Sequence, residues 1–449
     1  MTEDRQPPAG PDREQVSMWS LRTVGLTLAA GLLGGGLTFV MAIAAPRMGA
    51  GLVPGLPEGT QFGLDGPERP RQILRAEAAG GKQSWLVALG NTAFSAPSLF
   101  GPKAREAGLS CDTCHRQGDA NPRFFIPGVS ARHGGLDTTT SMFNPTQDDG
   151  VANHVDIPSL RGVRFTAPYG RDGRVASLRD FARNVIVQEF GGPEPAPIIL
   201  DALVAYMEQI EFLPNPQIDR LGQLTAAASP AAKRGEALFK QPMAGMGGRS
   251  CATCHVPDAQ FADGRRHDVG SDGIFRTPTL LNARFTAPYF HDGRYAGFAD
   301  VVAHFDKAFT LGLTAAQQAD LVAYLEAVGD ADQPFEPMTR QSEMSELASY
   351  VAVIDDAIGR GDQPAIDLVV DTVVYDLRFI ARRFDNRDPR TGRIRRPDRP
   401  DVARIAEDLA AHMISIGALA RAGDADGARQ SLRLYRERAT ALVASYPQN

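Results

Sequence analysis

Two short stretches constrain this 449-residue chain more than any other feature: "SCDTCHRQG" from Ser110 and "SCATCHVPD" from Ser250. All four cysteines, Cys111, Cys114, Cys251 and Cys254, lie in these two Cys-x-x-Cys-His motifs, and His115 and His255 follow them directly. A zinc ribbon needs its two pairs roughly 15–20 residues apart. Here they stand a domain's length apart. A redox disulfide gives no reason for the following His. Covalent c-type haem does: two thiols add across the porphyrin vinyl groups, and the next residue becomes the proximal iron ligand. The motifs therefore predict two covalently bound haem c groups, with His115 and His255 on the irons. A disulfide or a metal site is the alternative.

The N-terminus carries the second signal. Residues 1–23 read as a disordered, cytoplasmic tail. The next stretch, "VGLTLAAGLLGGGLTFVMAIAA" at 24–45, has no charge and is long enough to cross a bilayer as a helix. Arg22 on its near side predicts a cytoplasmic N-terminus and an exported body. A cleaved signal peptide is the alternative, because "AIA" at 42–44 resembles a small-residue cleavage site. Both versions put the cysteines in a bacterial periplasm, either anchored to the inner membrane or soluble. The composition, 43% hydrophobic and 22% charged, is that of a folded globular body. A net charge of −6 gives no support for nucleic-acid binding, and the one basic tract, "RIRRPDRP" at 393–400, reads as a solvated loop.

The body repeats itself. "IPSLRGVRFTAPYGRDGR" from Ile157 matches "TPTLLNARFTAPYFHDGR" from Thr277, and "RFTAPY" recurs verbatim at Arg164 and Arg284. "LVAYMEQI" at Leu203 matches "LVAYLEAV" at Leu321, each closing an amphipathic helix. Each half reads helix, haem motif, loop, Pro-rich turn and closing helices, the order of a small all-α cytochrome c fold. The first half carries about 20 extra residues between its haem motif and "RFTAPY", in a loop holding His133 and Met142. A loop of that length tends to be functional or disordered. The predicted architecture is all-α. A linker at 46–79 leads to cytochrome c domains at 80–222 and 223–335. A bundle of about four helices follows at 336–449, where apolar spacing of three and four is broken by "GRGDQP" and "AGDADG". His412 in the bundle reads as a structural histidine.

Over residues 80–335 the chain resembles the bacterial di-haem cytochrome c peroxidase and MauG family. The residues that carry the resemblance are the tandem haem motifs, "TPTL…APYFHDGR" and "LVAYLEAV". The resemblance implies an oxidoreductase of peroxidase type. An external donor, such as a small cytochrome or a cupredoxin, would supply electrons at the second haem, and the first would react with hydrogen peroxide. It also allows Ca2+ between the haem domains. A His in the loop after the first motif blocks the peroxidatic iron in the family. His133, eighteen residues after His115, is the match, and a solvated loop His is the alternative. Met142 competes for the same role. The family's acid–base Glu falls on Glu189 in "IVQEF".

Three positions depart from the family. The inter-haem Trp before "DGR" is Arg171, which cannot be an oxidisable relay but can pair with a haem propionate. The active-site Gln is Phe181. The second distal ligand falls on Phe305, so that iron is five-coordinate or capped by His304, Met243, Met246 or Met338. His291 reads as a propionate or second-layer contact, and His154 and His267 have no role assigned. The competing function is a non-enzymatic di-haem electron carrier with the bundle as a docking module.

Overall fold

The computed structural model describes residue 53 and residues 55–64, 67–385 and 399–445. The expectations on the tail and the apolar run at 24–45 lie outside the described residues, none of whose helices is long and apolar enough to cross a membrane.

The fold is mostly helical. In chain order its longer helices are α1 (Trp85–Phe94), α2 (Leu178–Asn184), α3 (Pro197–Met207), α4 (Pro230–Lys240), α5 (Phe298–Phe309) and α6 (Ala315–Gly329). The bundle adds α7 (Arg340–Arg360), α8 (Gln363–Asp385), α9 (Pro400–Arg421) and α10 (Ala425–Ser445). Where all-α was expected, there are also short strands: β1 (Glu68–Pro70), β2 (Gly135–Leu136), β3 (Val155–Asp156), β4 (Arg266–Asp268), β5 (Ile274–Arg276) and β6 (Phe335–Pro337). They pair antiparallel as β1–β6, β2–β3 and β4–β5. The hairpins are too short to leave the two-residue periodicity that would announce a strand.

Local chemistry sets the helix ends. Ser84, Ser229 and Thr314 cap α1, α4 and α6 by accepting from Val87, Ala232 and Gln317 backbone N–H. Pro197 and Pro230 stand at the first helical turn, where the missing N–H costs nothing. Gly361 ends α7 in the left-handed region at φ 64°.

Each half is built on one helix crossing, and the two crossings match residue for residue. In the first, α1 lies against α3 at Gly90, where an added Cβ would fall 2.0 Å from the Ala202 carbonyl oxygen. In the second, α4 lies against α6 at Gly235, where a Cβ would fall 1.9 Å from the Asp320 carbonyl oxygen. One turn on, Phe94 packs on Tyr206 at 5.3 Å and Phe239 on Tyr324 at 4.8 Å between ring centroids. Burying each Phe contributes about 1.5–3 kcal/mol.

The halves meet through a reciprocal pair of hydrogen bonds. Asp156 N donates to the His291 carbonyl at 2.8 Å, and Arg276 N donates to the Arg171 carbonyl at 3.0 Å. Asp156 matches Arg276 and Arg171 matches His291 at the repeat's offset of 120, so the junction is pseudo-two-fold. The extra residues of the first half fall partly before its hairpin, where His133 lies, and partly in the loop from β2 to β3, where Met142 lies.

The bundle is not a separate body. Its buried residues Tyr350, Ile354, Val369, Val373 and Leu377 belong to the same apolar core as Leu89, Phe94, Leu109 and Leu203 of the first half. The second half has its own smaller core around Phe239, Phe261, Leu321 and Tyr324. Trp85 Nε1 donates to the Val353 carbonyl at 3.2 Å, and the Arg360 guanidinium lies 4.6 Å over the Trp85 ring.

Candidate haem sites and the carboxylate beside the first

Both motifs form the same tight helical turn, Cys111–Cys114 and Cys251–Cys254. A reciprocal cap starts each turn. Ser110 N donates to Thr113 Oγ1 at 3.1 Å, and Ser250 N to Thr253 Oγ1 at 3.0 Å. All four thiols are free and half-buried. Burial pushes Cys111 up to about 12 and Cys251 up to about 11.

The donor set fits covalent haem. His115 Nδ1 donates to the Pro158 carbonyl at 2.9 Å, and His255 Nδ1 to the Phe261 carbonyl at 3.1 Å. A carbonyl on Nδ1 fixes the tautomer and leaves the Nε2 lone pair for iron. Burial pulls His115 down to about 4, partly opposed by the Pro158 carbonyl, so the imidazole is in its neutral, ligating form. His255 is lowered for the same reason. The competing metal reading has one candidate among the described residues, Cys254 with Asp263 and His267. His267 Nε2 lies 2.7 Å from Asp263 Oδ2. A thioether at Cys254 removes the thiolate such a site would need.

Glu189 ends the single π-turn Val185–Glu189, which continues from α2. Such insertions into helices often re-aim a side chain at a functional site. Its carboxylate accepts from Arg174 Nη2 at 3.1 Å and is largely buried, with 14% of the side chain exposed. Burial raises it to about 7, against the pull of Arg174 and a hydrogen bond from Thr138. Its charge, after burial, Cys111 and Asp112, contributes to raising Cys114, so the carboxylate lies within electrostatic reach of the first attachment turn. Arg174 was not singled out from the sequence. It is the Arg of "DGR"; it also pairs with Asp172, as its second-half partner Arg294 pairs with Asp292, and where Arg174 holds Glu189, Arg294 holds Asp272. At the repeat position of Glu189 the second half has Phe309.

Arg171 donates through Nε and Nη2 to the Asp156 carbonyl at 3.0 and 2.7 Å, and its Nη2 lies 2.5 Å from Asp156 Oδ2. It is near enough to His115 to disfavour the imidazolium. Asp156 is raised to about 7 by burial, against Arg171. Arg276 donates to the Gly170 and Thr166 carbonyls, both at 3.1 Å.

Other expected residues are placed as follows. His133 is exposed and stacks on Phe125 at 4.8 Å; its contact is with that ring and not with His115 or Glu189. Met142 is half-buried against the first core. Phe181 packs against the same core, with the Arg174 guanidinium 5.8 Å over its ring. Phe305 lies among Phe290, His304 and Phe309. Both nitrogens of His304 are engaged, Nδ1 with the Tyr295 hydroxyl at 2.9 Å and Nε2 with the Val269 carbonyl at 2.8 Å, which argues against it as a cap. Met338 stands by the first motif instead, its Sδ 3.7 Å from Arg116. The Met243–Met246 turn packs on the end of α5 through Gly245, against the Phe309 carbonyl. His291 stacks on Phe275 at 3.7 Å, with a buried Nδ1 that has no hydrogen-bond partner among the described residues. His412 Nε2 pairs with Ser431 Oγ at 2.9 Å inside the bundle.

Two matched Cys-x-x-Cys-His turns, each with its His Nδ1 tied to a backbone carbonyl, are the arrangement that c-type attachment requires. Residues 230–360 match the family described as di-haem cytochrome c peroxidase. The match covers this domain, and the cofactor that such a family implies is haem c. The methylamine utilization protein MauG of Methylorubrum extorquens is 26% identical over 295 residues, covering 54% of this chain and 77% of that protein. Hydrazine synthase subunit gamma of Kuenenia stuttgartiensis is 24% identical over 251 residues, covering 42% and 69%. Cytochrome-c peroxidase IdrP1 of Denitromonas iodatirespirans is 40% identical over 67 residues, but these are only 12% of this chain and 18% of that one. Among solved structures, a MauG-like protein associated with microbial copper homeostasis is 20% identical, covering 60% of this chain and 95% of that chain at a TM-score of 0.41.

Proposed function

We propose that the protein is a di-haem peroxidase-type oxidoreductase that reduces hydrogen peroxide at its first site. The observation that carries this reading is Glu189: a largely buried carboxylate on a π-turn, held by Arg174 and within electrostatic reach of Cys114, with Phe309 at the matching position of the second half.

Cys111, Cys114 and His115 would hold one haem, and Cys251, Cys254 and His255 the other. Bound there, haem supplies the peroxide-binding iron and the capacity to hold electrons one at a time. The chain's own residues supply the protons and the positioning. Glu189 would accept one proton from hydrogen peroxide and return it to the oxygen that departs as water, the two electrons for breaking the O–O bond coming from the reduced haem groups. Arg174 holds the carboxylate on its turn. The Pro158 carbonyl keeps His115 oriented with Nε2 free. Exposed on its loop, His133 acts as a ligand only if that loop moves inward. An exported location, membrane attachment through 24–45, an external one-electron donor and an inter-domain Ca2+ complete the reading as proposals.

A second reading, a di-haem electron carrier, is favoured by Arg171. Where the family resemblance places an oxidisable Trp, this chain has a guanidinium locked to Asp156. Hydrazine synthase subunit gamma is also a relative, so the family spans more than one chemistry.

The two separate by stopped-flow mixing of the reduced holoprotein with peroxide. The peroxidase reading expects rapid reoxidation that Glu189→Gln slows by about 10²-fold or more, with both haems retained. Slow or absent reoxidation of the native protein would leave the carrier reading, and equally rapid reoxidation in both proteins would remove Glu189 as the base.

A further inference from the structure

The bundle's polar residues converge on the first haem motif and have no counterpart at the second. Asp112, between the two cysteines, is buried, accepts from Gln117 N at 2.8 Å and pairs with Arg116, which follows His115. At the matching positions of the second half stand Ala252 and Val256. Beyond this pair lies Glu346 of α7. Arg69 of β1 donates to it at 3.3 Å, and the Tyr350 hydroxyl lies 2.9 Å from both Glu346 Oε1 and Ser95 Oγ. Asp376 of α8 and Tyr206 of α3 lie within electrostatic reach of Asp112 and Glu346, and the Tyr206 hydroxyl accepts from Gln72 at 2.9 Å. Arg69 is shared with Glu336 at 2.7 Å. Asp112 is thus paired with Arg116 beside His115, and Glu346 with Arg69, while Asp376 lies within electrostatic reach of both carboxylates.

We infer that the bundle sets the reduction potential of the first haem through Glu346, a positioning residue whose charge acts on the iron by way of the Asp112–Arg116 pair. An anion near the iron favours the ferric state, and it does so more strongly in a low-dielectric interior than in water. Burial, and then the charge of Asp112, raise Glu346 above its usual range, against Arg116, Tyr350 and Arg69. Burial, and then Glu346 and Asp112, raise Asp376. The cluster thus has a carboxylate able to change charge where an ordinary surface Glu could not. With haem bound there, reduction by a one-electron donor would be accompanied by uptake of up to one proton from solvent at the Glu346 carboxylate.

This inference rests on haem attachment at Cys111 and Cys114, but not on peroxide as the substrate. The test is spectroscopic redox titration of both haems in the holoprotein as a function of pH, with no peroxide present. The first-haem potential should fall as pH rises, because the deprotonated carboxylate favours ferric iron, while the second stays flat. In Glu346→Gln the slope should be lost. At alkaline pH that variant's ferric-to-ferrous ratio at fixed applied potential should drop on the order of tenfold, which is 59 mV for one electron. Tyr350→Phe, which removes a donor to the carboxylate, should move the inflection to higher pH, and Glu346→Asp should keep the slope. Asp376→Asn should reduce the slope in part. If Glu346→Gln loses its haem, Tyr350→Phe decides. A pH-independent first-haem potential in the native protein overturns the inference, and so does an equal shift of both haems in the variant.

Discussion

Arg174 donates to Glu189 at 3.1 Å, while the matching Arg294 of the second half donates to Asp272 at 2.9 Å. The repeated Arg keeps the Asp of its own "DGR" in both halves, and its second carboxylate differs, Glu189 in the first and Asp272 in the second. Burial holds Glu189 near 7 against the pull of Arg174. A base must be deprotonated to act, so kcat/KM for peroxide should fall as pH drops through that region. Arg174→Ala removes the group that lowers the carboxyl, so the falling limb should move to higher pH. A pH–rate profile on both proteins checks this, and a limb that moves to lower pH contradicts it.

Arg171 should tune the first haem. Losing a cation near the iron favours the ferric state, so Arg171→Ala should lower the first-haem potential. Asp156, already raised to about 7, would rise further without its partner and stay protonated in neutral solution. The drop should therefore be smallest near neutrality, where proton uptake by Asp156 offsets part of the lost charge. Redox titration of the variant measures this. Unchanged potentials would mean that Arg171 does not face the haem.

The two glycines at the helix crossings should tolerate no side chain. Gly90→Ala and Gly235→Ala each drive a Cβ into a backbone carbonyl. Each should cost about 1–3 kcal/mol or more, read as a lowered thermal midpoint. The loss should be selective, with Gly90→Ala weakening haem retention at Cys111 and Cys114 and Gly235→Ala at Cys251 and Cys254.

Much of this was legible in the sequence. The haem motifs, "RFTAPY" and "LVAY" fixed the tandem halves, because each repeats a residue pattern that only one local geometry satisfies. The Gly–Phe spacing in "GNTAF" and "GEALF" carried the helix crossing as well, but it is short and easily passed over. The bundle's helices could be read from apolar spacing, yet its fusion with the first core could not. An amphipathic face shows that it needs a partner and not which partner it has. Arg174 was hidden because "DGR" occurs twice, and only the fold shows where each guanidinium points. His133 and Glu189 were equally visible as sequence candidates. Burial separates them: one ring is exposed on Phe125, and one carboxylate is largely buried within electrostatic reach of the first haem turn.

The shared core predicts coupled unfolding. Ile354→Ala or Leu377→Ala, each deleting a fully buried bundle side chain, should destabilise by about 2–5 kcal/mol. The bundle and the first haem's optical signal should be lost in one transition, with the second haem's signal lost separately. A bundle transition that leaves the first haem's signal intact would contradict the single core.

The most direct test of the central claim is the intact mass of the purified holoprotein, with optical spectra of its oxidised and reduced forms taken before and after peroxide. Two haems added to the polypeptide mass are expected, with the iron on Cys111 and Cys114 high-spin or readily opened and reacting with peroxide. A single added haem would break the duplicated-site account. Two haems that are low-spin in both redox states and inert to peroxide would contradict the peroxidase reading.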